Sequence, residues 1–226
     1  MFEPGKVRVA SAFTVIPNVS GGDISGWVLQ GDSLYERKYS LTTDGWINPD
    51  WPNDLQPVGR GWTNFTTFEV SQYGGRTTAY GLRNDGVLFR WNAATWSRTG
   101  SAPGFASVKA MALISKTPTY DTFLANTRGG ALYTIRIPTA APMKPVVTPV
   151  RTRTWQGFET LVASKCGNYG TVLLGIDKDT GSAYQYAVGH ANGTATVING
   201  LGKVDGTFDD PVYHRWATGP DPLNGD

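Results

Sequence analysis

Short runs of alternating apolar and polar residues, each four to eight residues long, follow one another along the whole chain. Gly, Pro, Asn or Asp separates most of these runs, and such punctuation is typical of short β-strands joined by tight turns. The run at residues 78–82, for example, passes through Asn84, Asp85 and Gly86 into the run at residues 87–91. An Asp-Gly pair supplies the positive φ that a short hairpin turn requires. The pattern therefore predicts a nearly all-β protein.

One recurring element is a Gly followed by a large apolar residue at the start of a run. Its four clear copies are spaced 43, 53 and 43 residues apart: Gly61-Trp62, Gly104-Phe105, Gly157-Phe158 and Gly200-Leu201. A weaker copy begins at Gly5. Because Trp, Phe and Leu all occupy the second position, that position requires bulk rather than a particular chemistry. We predict that these four apolar residues lie in the core.

A second element, a hairpin with a Gly-containing turn, recurs in phase with the first. Its turns fall at residues 31–32, 83–86, 128–130 and 177–181. A unit of 43 to 56 residues with three or four strands cannot bury both faces of its small sheet alone, so it must stack on copies of itself. The stacked solutions are a β-propeller or, less often, a β-solenoid, whose repeats are usually shorter. We predict a small β-propeller of four or five blades, built from repeats of about 50 residues with short antiparallel strands.

The repeats divide the chain into one predicted propeller domain over residues 1–226. Its repeats cover about 5–60, 61–103, 104–156 and 157–199, followed by a partial closing repeat at 200–226. The segment at residues 212–216 is predicted to close the ring by pairing with the N-terminal segment. Such pairing would satisfy strand edges that an open ring leaves exposed.

The hairpin from Tyr80 to Trp91, which reads YGLRNDGVLFRW, resembles the blades of tachylectin-type β-propeller lectins. Similar Asp-Gly-aromatic hairpins occur in regulator-of-chromosome-condensation-type propellers, so the resemblance does not identify the ligand. Lectins of the first type carry about five blades and bind amino sugars or related glycans in equivalent pockets. The resemblance thus implies a multivalent carbohydrate-binding protein. Insertions at residues 41–60 and 138–155 depart from an even repeat, so the pockets need not be equivalent.

Charge and apolar run length restrict the partners. The 226 residues include 20 basic and 18 acidic side chains, scattered without a basic run of five, so electrostatic capture of nucleic acid is not expected. No apolar stretch approaches the ~20 residues of a membrane-spanning helix. A single cysteine, Cys166, excludes an internal disulfide framework. We expect a secreted protein whose signal segment has been removed, with a cytoplasmic location as the alternative.

Residues with catalytic or metal-binding potential are few. His190 and His214 have no partner at metal-ligand spacing, and residues 177–181 are interpreted as a hairpin turn rather than a calcium loop, so no metal or cofactor is predicted. Common hydrolase and nucleotide-binding motifs are absent from the sequence. These observations predict a protein without enzymatic activity. A glycosidase pair remains an alternative, because blades converge on an axis and could bring together isolated carboxylates: Glu36, Glu69, Asp121 and Glu159.

Four tryptophans, Trp46, Trp51, Trp96 and Trp155, fall outside the repeated positions, in the connections. A sugar ring covers an indole well, because its axial C–H face stacks on the ring while its hydroxyls reach nearby amides and carboxylates. An equally weighted interpretation is that these tryptophans cap the blade edges. The predicted ligand-binding residues are Trp46, Trp51, Asp44, Asn53, Asn92, Trp96 and Trp155.

The predicted function is non-catalytic, lectin-like binding of a glycan or another small polar ligand through these residues. The first alternative is a protein-interaction propeller, which would use one rim of the ring. The second is a glycan-active hydrolase or lyase.

Overall fold

The computed structural model describes residues 5–51, 53–218 and 222–226, and these residues form a four-bladed β-propeller. The all-β propeller prediction is confirmed, and four is the blade number found. Within the described ranges there is no helix with the length and apolar character needed to cross a membrane.

Each blade is one β-sheet. In blades 2 to 4 the strands are antiparallel and follow the chain order, and the sheet of blade 1 also includes a C-terminal strand that pairs in parallel. Blade 1 contains β1 (Val7–Ala10), β2 (Phe13–Asn18), β3 (Gly21–Gln30), β4 (Ser33–Thr42) and β5 (Asp54–Arg60). Blade 2 contains β6 (Phe65–Tyr73), β7 (Arg76–Arg83), β8 (Leu88–Asn92) and β9 (Ser97–Ala102). Blade 3 contains β10 (Val108–Lys116), β11 (Tyr120–Thr127), β12 (Leu132–Pro138) and β13 (Val146–Arg151). Blade 4 contains β14 (Thr160–Cys166), β15 (Gly170–Asp177), β16 (Ser182–Val188) and β17 (Ile198–Val204).

Among the described residues, three buried clusters lie between neighbouring blades, and a fourth, which contains Phe13, Ile24 and Tyr39, lies within blade 1. Leu29 and Leu34 of blade 1 share a buried cluster with Phe68 of blade 2. Corresponding clusters join blade 2 to blade 3 and blade 3 to blade 4. Each blade therefore depends on the next to remove its apolar face from water.

A repeated hydrogen bond fixes each blade to the preceding one. The N–H of an aromatic residue in the incoming connection donates to a carbonyl oxygen in the previous hairpin turn. The pairs are Trp62 to Asp32 at 2.9 Å, Phe105 to Gly86 at 2.9 Å, Trp155 to Gly130 at 3.0 Å and Phe208 to Gly181 at 2.9 Å. The turn glycine is required at Gly86, where φ is +83° and an added Cβ would lie 2.2 Å from the Ala106 nitrogen.

These hydrogen bonds correct the sequence-based alignment of the repeats. Trp62, Phe105 and Phe158 are each 7% exposed, as predicted for core residues. However, Leu201 is 57% exposed and lies on β17, the last strand of blade 4, so its predicted core position is wrong. The structural equivalent of Trp62 is Trp155, three residues before Phe158. Trp155 and Phe158 both fit the sequence pattern of a large apolar residue, so the sequence-based alignment of the repeats was shifted by three residues.

The C-terminal segment closes the ring, as predicted. Strand β18 (Trp216–Thr218) pairs in parallel with β2, and the Phe13 N–H donates to the Arg215 carbonyl at 2.8 Å. Beyond it, the Leu223 side chain is 1% exposed, and the Gly225 N–H donates to the Ile114 carbonyl of blade 3 at 2.9 Å. The segment thus connects blade 1 to blade 3 across one end of the ring.

Replacement of Trp155 by Ala tests the joint between blades. The ring is 5% exposed, and its centroid lies 4.9 Å from that of Tyr186. Loss of a buried aromatic removes apolar burial and leaves a cavity, so we expect the free energy of unfolding to fall by about 3–5 kcal/mol. Urea denaturation measures this change.

The matched control is Trp46→Ala, because the Trp46 ring is 76% exposed. Its free energy of unfolding should change by no more than about 0.5 kcal/mol. Equal losses in the two variants would contradict the assignment of Trp155 to the repeated joint.

Candidate functional site

A cavity of about 500 Å³ opens where blades 1 and 2 meet near the end of the inner strands. We call it the main cavity. Blade 1 contributes Thr14 and Trp27, and the β6–β7 hairpin contributes residues 72–77. Lys116 of blade 3 completes the lining together with Arg215, Ala217, Pro222 and Asn224 of the C-terminal segment. Three blades and the closing segment therefore meet at one opening.

The main cavity combines aromatic rings with hydrogen-bonding side chains. Tyr73 is 41% exposed at the tip of the β6–β7 hairpin, and Trp27 is half-buried opposite it in the lining. Gln72 and Asn224 are exposed amides in the same lining. Gly74 and Gly75 form the turn with φ of +53° and +80°, and nothing lies within 4 Å of an added Cβ at either position. The turn therefore leaves the aromatic and amide groups accessible.

Arg76 is held in the cavity wall by a buried carboxylate from the neighbouring blade. Its guanidinium donates to both oxygens of Asp121, at 2.7 and 2.9 Å, and Asp121 is fully buried. Ser71 and the Tyr80 hydroxyl donate to the same carboxylate at 2.9 and 2.8 Å. Burial raises the pKa of Tyr80, and the Asp121 charge raises it further, which keeps the phenol a donor. The bidentate pair fixes the position of Arg76 as well as stabilising it.

A second cavity, of about 230 Å³, shares Gly75, Arg76 and Thr77 with the main cavity. We call it the side cavity. Arg90, Trp91 and Asn92 of β8 line it, together with hydroxyl side chains from four threonines: Thr77, Thr78, Thr99 and Thr139. Arg90 is only 3% exposed. The side cavity is therefore a polar, cationic extension of the main cavity along blade 2.

The isolated carboxylates do not meet in these cavities. Glu69 lines a small cavity of about 40 Å³ near the axis and accepts hydrogen bonds from the Ala12 and Val70 N–H groups at 3.0 and 2.8 Å. Glu159 lines a different cavity of about 140 Å³, where it forms an ion pair with Lys109. None of the four cavities is lined by two of the carboxylates Glu36, Glu69, Asp121 and Glu159. Among the described residues, no group of three or more His, Cys, Asp or Glu could hold a metal ion.

His214 lies in the closing segment beside the small axial cavity. Its ring centroid is 4.6 Å from that of Phe13 and 5.8 Å from that of Trp216. The Nε2 atom is buried and has no hydrogen-bond partner among the described residues. Burial lowers the pKa of His214, because the charged imidazolium would lose its hydration there.

The predicted ligand-binding residues do not form one site. Trp46 and Trp51 are 76% and 56% exposed in the connection between β4 and β5, and Asp44 and Asn53 are exposed in the same connection. This loop remains a predicted binding surface, separate from the main cavity lining. The prediction was based on indole rings in a connection that a ligand could cover, and both rings in this loop are exposed.

The other three predicted residues have different environments. Trp155 is buried in the blade joint, so the premise that it needs a ligand to cover it is wrong. Trp96 is half-buried and packs against Trp27 and Trp62, with centroids 6.4 Å apart in both cases. Asn92 is exposed in the side cavity, where its Oδ1 also accepts the Ala94 N–H at 2.9 Å. Only Asn92 among these three offers a polar group to a cavity.

Sequence reasoning missed the β6–β7 hairpin, which supplies Gln72, Tyr73 and Arg76. The available signal was the Gly74-Gly75 pair, which predicts a short turn flanked here by an aromatic and a cation. Its importance depends on blade geometry, because only the ring brings this turn beside Trp27 and the closing segment.

Comparison with known proteins supports the fold. No protein-family model matches the sequence, and no curated protein does. One similar solved structure is an α-L-arabinofuranosidase from Podospora anserina in complex with cellotriose. Its sequence is 12% identical, the match covers 99% of this chain and 82% of that chain, and the TM-score is 0.57. The catalytic domain of a GH62 α-L-arabinofuranosidase from Coprinopsis cinerea matches at 10% identity over 96% of this chain and 75% of that chain, with a TM-score of 0.54. A GH43_1 enzyme from Xanthomonas citri complexed with xylose matches at 11% identity over 86% and 74%, with a TM-score of 0.46.

These neighbours correct two sequence-based expectations. The propeller is confirmed, but the likeness to tachylectin-type lectins is not. The prediction that the protein has no enzymatic activity is contradicted, because two solved structures that share its fold are α-L-arabinofuranosidases. That prediction was based on the absence of common sequence motifs. Such an absence is weak evidence in a fold whose sites combine residues from several blades.

Replacement of Asp121 by Asn tests the network behind the main cavity. The change leaves the half-buried Arg76 guanidinium without its carboxylate partner, so we expect the free energy of unfolding to fall by about 2–4 kcal/mol. Asp85→Asn is the matched control, because Asp85 pairs with Arg83 on an exposed turn. Thermal denaturation should show a large loss for the first variant and little change for the second. Similar melting temperatures would contradict the buried network.

A pH series tests the environment of His214. Its pKa is lowered in the folded protein, so below about pH 6.5 the unfolded chain binds a proton that the folded protein does not. The free energy of unfolding should therefore decrease as the pH falls from about 7.5 to about 5.5. His214→Phe should show a smaller decrease. The same pH slope in His214→Phe and wild type would show that His214 is not the group responsible.

Proposed function

We propose that the protein binds carbohydrate in the main cavity. The observation that carries this proposal is the placement of Tyr73 and Trp27 beside Gln72, Arg76 and Asn224 in one open cavity of about 500 Å³. The combination suits a sugar, which presents an apolar C–H face to a ring and hydroxyl groups at its edge. The α-L-arabinofuranosidase from Podospora anserina, described in complex with cellotriose, supports a carbohydrate ligand.

The main cavity provides both components of sugar recognition at adjacent positions of the chain. Tyr73 offers an accessible ring, and Gln72 precedes it on the same exposed hairpin. Arg76 enters the lining two residues after the Gly74-Gly75 turn begins, already oriented by Asp121. A side chain held in place before binding loses less conformational entropy when the ligand arrives.

The loop with Trp46 and Trp51 is a second proposed carbohydrate surface. Its indoles are more exposed than Tyr73, but no cavity described here encloses them. An open surface of this kind suits the flat side of an extended chain, whereas the main cavity suits one or a few sugar units. The two surfaces can therefore be separated by ligand length and by substitution.

Calorimetric titration with a panel of neutral and acidic oligosaccharides tests the proposal. We expect binding to the wild type and a loss of affinity of roughly 2- to 10-fold in Tyr73→Ala, because an aromatic contact contributes about 0.5–1.5 kcal/mol. Tyr169→Ala is the matched control, since Tyr169 is an exposed tyrosine at 67% on blade 4 and outside the main cavity lining. Absence of binding across the panel would overturn the proposal.

The double variant Trp46→Ala with Trp51→Ala separates the two surfaces. If the main cavity binds short oligosaccharides, this variant should keep wild-type affinity for them and lose affinity only for long chains. Loss of short-chain binding here, with Tyr73→Ala unaffected, would assign the site to the loop instead. Measurement of reducing ends in the same samples reports whether a bound glycan is hydrolysed.

A further inference from the structure

We propose that the side cavity is a subsite for the carboxylate or sulfate group of an acidic saccharide. Such a subsite rests on the proposed function, because it extends the main cavity through the shared residues Gly75, Arg76 and Thr77. One sugar unit in the main cavity would place the anionic group of the next unit in the side cavity.

The main support is the buried cation Arg90. Its Nε donates to the Thr99 hydroxyl at 3.0 Å, and its Nη atoms donate to the carbonyl oxygens of Pro138, Ala140 and Thr99. All of these acceptors are neutral, and within the described ranges no carboxylate bonds to Arg90. Neutral oxygens orient the guanidinium without cancelling its charge. A buried charge of this kind is stabilised when an anion binds beside it.

The charge balance around the side cavity is positive. Arg76 and Arg90 are the ionisable residues in the lining that the structure describes, apart from Tyr80. The carboxylate behind them, Asp121, is already bonded to Arg76 on both oxygens. Two guanidinium groups and one carboxylate leave one net positive charge. The hydrogen bonds among the described residues leave one N–H donor on each guanidinium, the Nε–H of Arg76 and one Nη1–H of Arg90, and each can donate a charge-assisted hydrogen bond to an anion.

The remaining lining fits an anionic sugar better than a neutral apolar ligand. The Thr77 and Thr78 hydroxyls and the Asn92 amide can donate to ligand oxygens, whereas the Thr99 and Thr139 hydroxyls donate to backbone carbonyls. Trp91 offers part of a ring. The cavity volume of about 230 Å³ is large enough for part of one sugar unit with its acidic group, but not for a long chain. Neither cavity has a carboxylate among its described lining residues to repel such a ligand.

Titration with a trigalacturonate and with its fully methyl-esterified form tests the subsite. The two ligands have nearly the same size and differ in charge. We expect the acid to bind the wild type at least about tenfold more tightly than the ester, with the difference shrinking as NaCl rises from about 50 to about 500 mM. Arg90→Gln should lose this preference and retain binding of the ester. Equal affinity of acid and ester in the wild type would overturn the subsite while leaving the proposed function intact.

Asn92→Asp provides a second test that does not remove a buried residue. The variant keeps the Oδ1 acceptor used by the Ala94 N–H and adds one negative charge to the cavity lining. It should lower affinity for the acid several-fold more than affinity for the ester, whereas the matched variant Asn168→Asp, in the exposed β14–β15 turn outside both cavity linings, should leave both affinities unchanged. An unchanged acid preference in Asn92→Asp would overturn the subsite. A parallel titration with sodium sulfate identifies the source of the anion: sulfate binding without binding of either saccharide would overturn both the saccharide assignment and the proposed function.

Discussion

Burial of one blade's apolar face by the next blade is the constraint on which the rest of this structure depends. Three of the four clusters of described buried residues bridge neighbouring sheets, so an isolated blade would leave residues such as Leu29 and Phe68 in water. An aromatic residue in each incoming connection seals the joint, and its N–H donates to the preceding hairpin turn. This position is occupied by Trp62, Phe105, Trp155 and Phe208. The joint between blades is therefore the unit that repeats along the chain.

Stacking in a ring also creates the cavities. The inner strands β1, β6, β10 and β14 meet around the axis, and the closing segment lies across one end of it. At that end the β6–β7 hairpin reaches the closing segment and the wall of blade 1, and the main cavity opens between them. The residues in its lining come from positions as far apart in sequence as Thr14 and Asn224. Ring closure brings these residues together, and no local sequence pattern indicates that they are neighbours.

This origin explains which features could be predicted from the sequence. Hairpins with turns at Gly86, Gly130 and Gly181 are local, since the turn residue and the flanking strands are contiguous, and the propeller follows from their repetition. The alignment of the repeats was harder to predict from the sequence, because Trp155 and Phe158 both fit an apolar position and only the hydrogen bond to Gly130 distinguishes them. Tyr73, Arg76 and Arg90 carried no signal of their own. Their roles depend on Asp121, Pro138 and other residues at least 45 positions away.

The central claim is that a sugar occupies the main cavity of this propeller. A crystal structure of the protein soaked with an oligosaccharide that binds in solution tests it most directly. We expect a sugar ring against Tyr73, with its hydroxyl groups within hydrogen-bond distance of Gln72, Arg76 or Asn224. A sugar bound only on the loop of Trp46 and Trp51, with the main cavity empty, would contradict it.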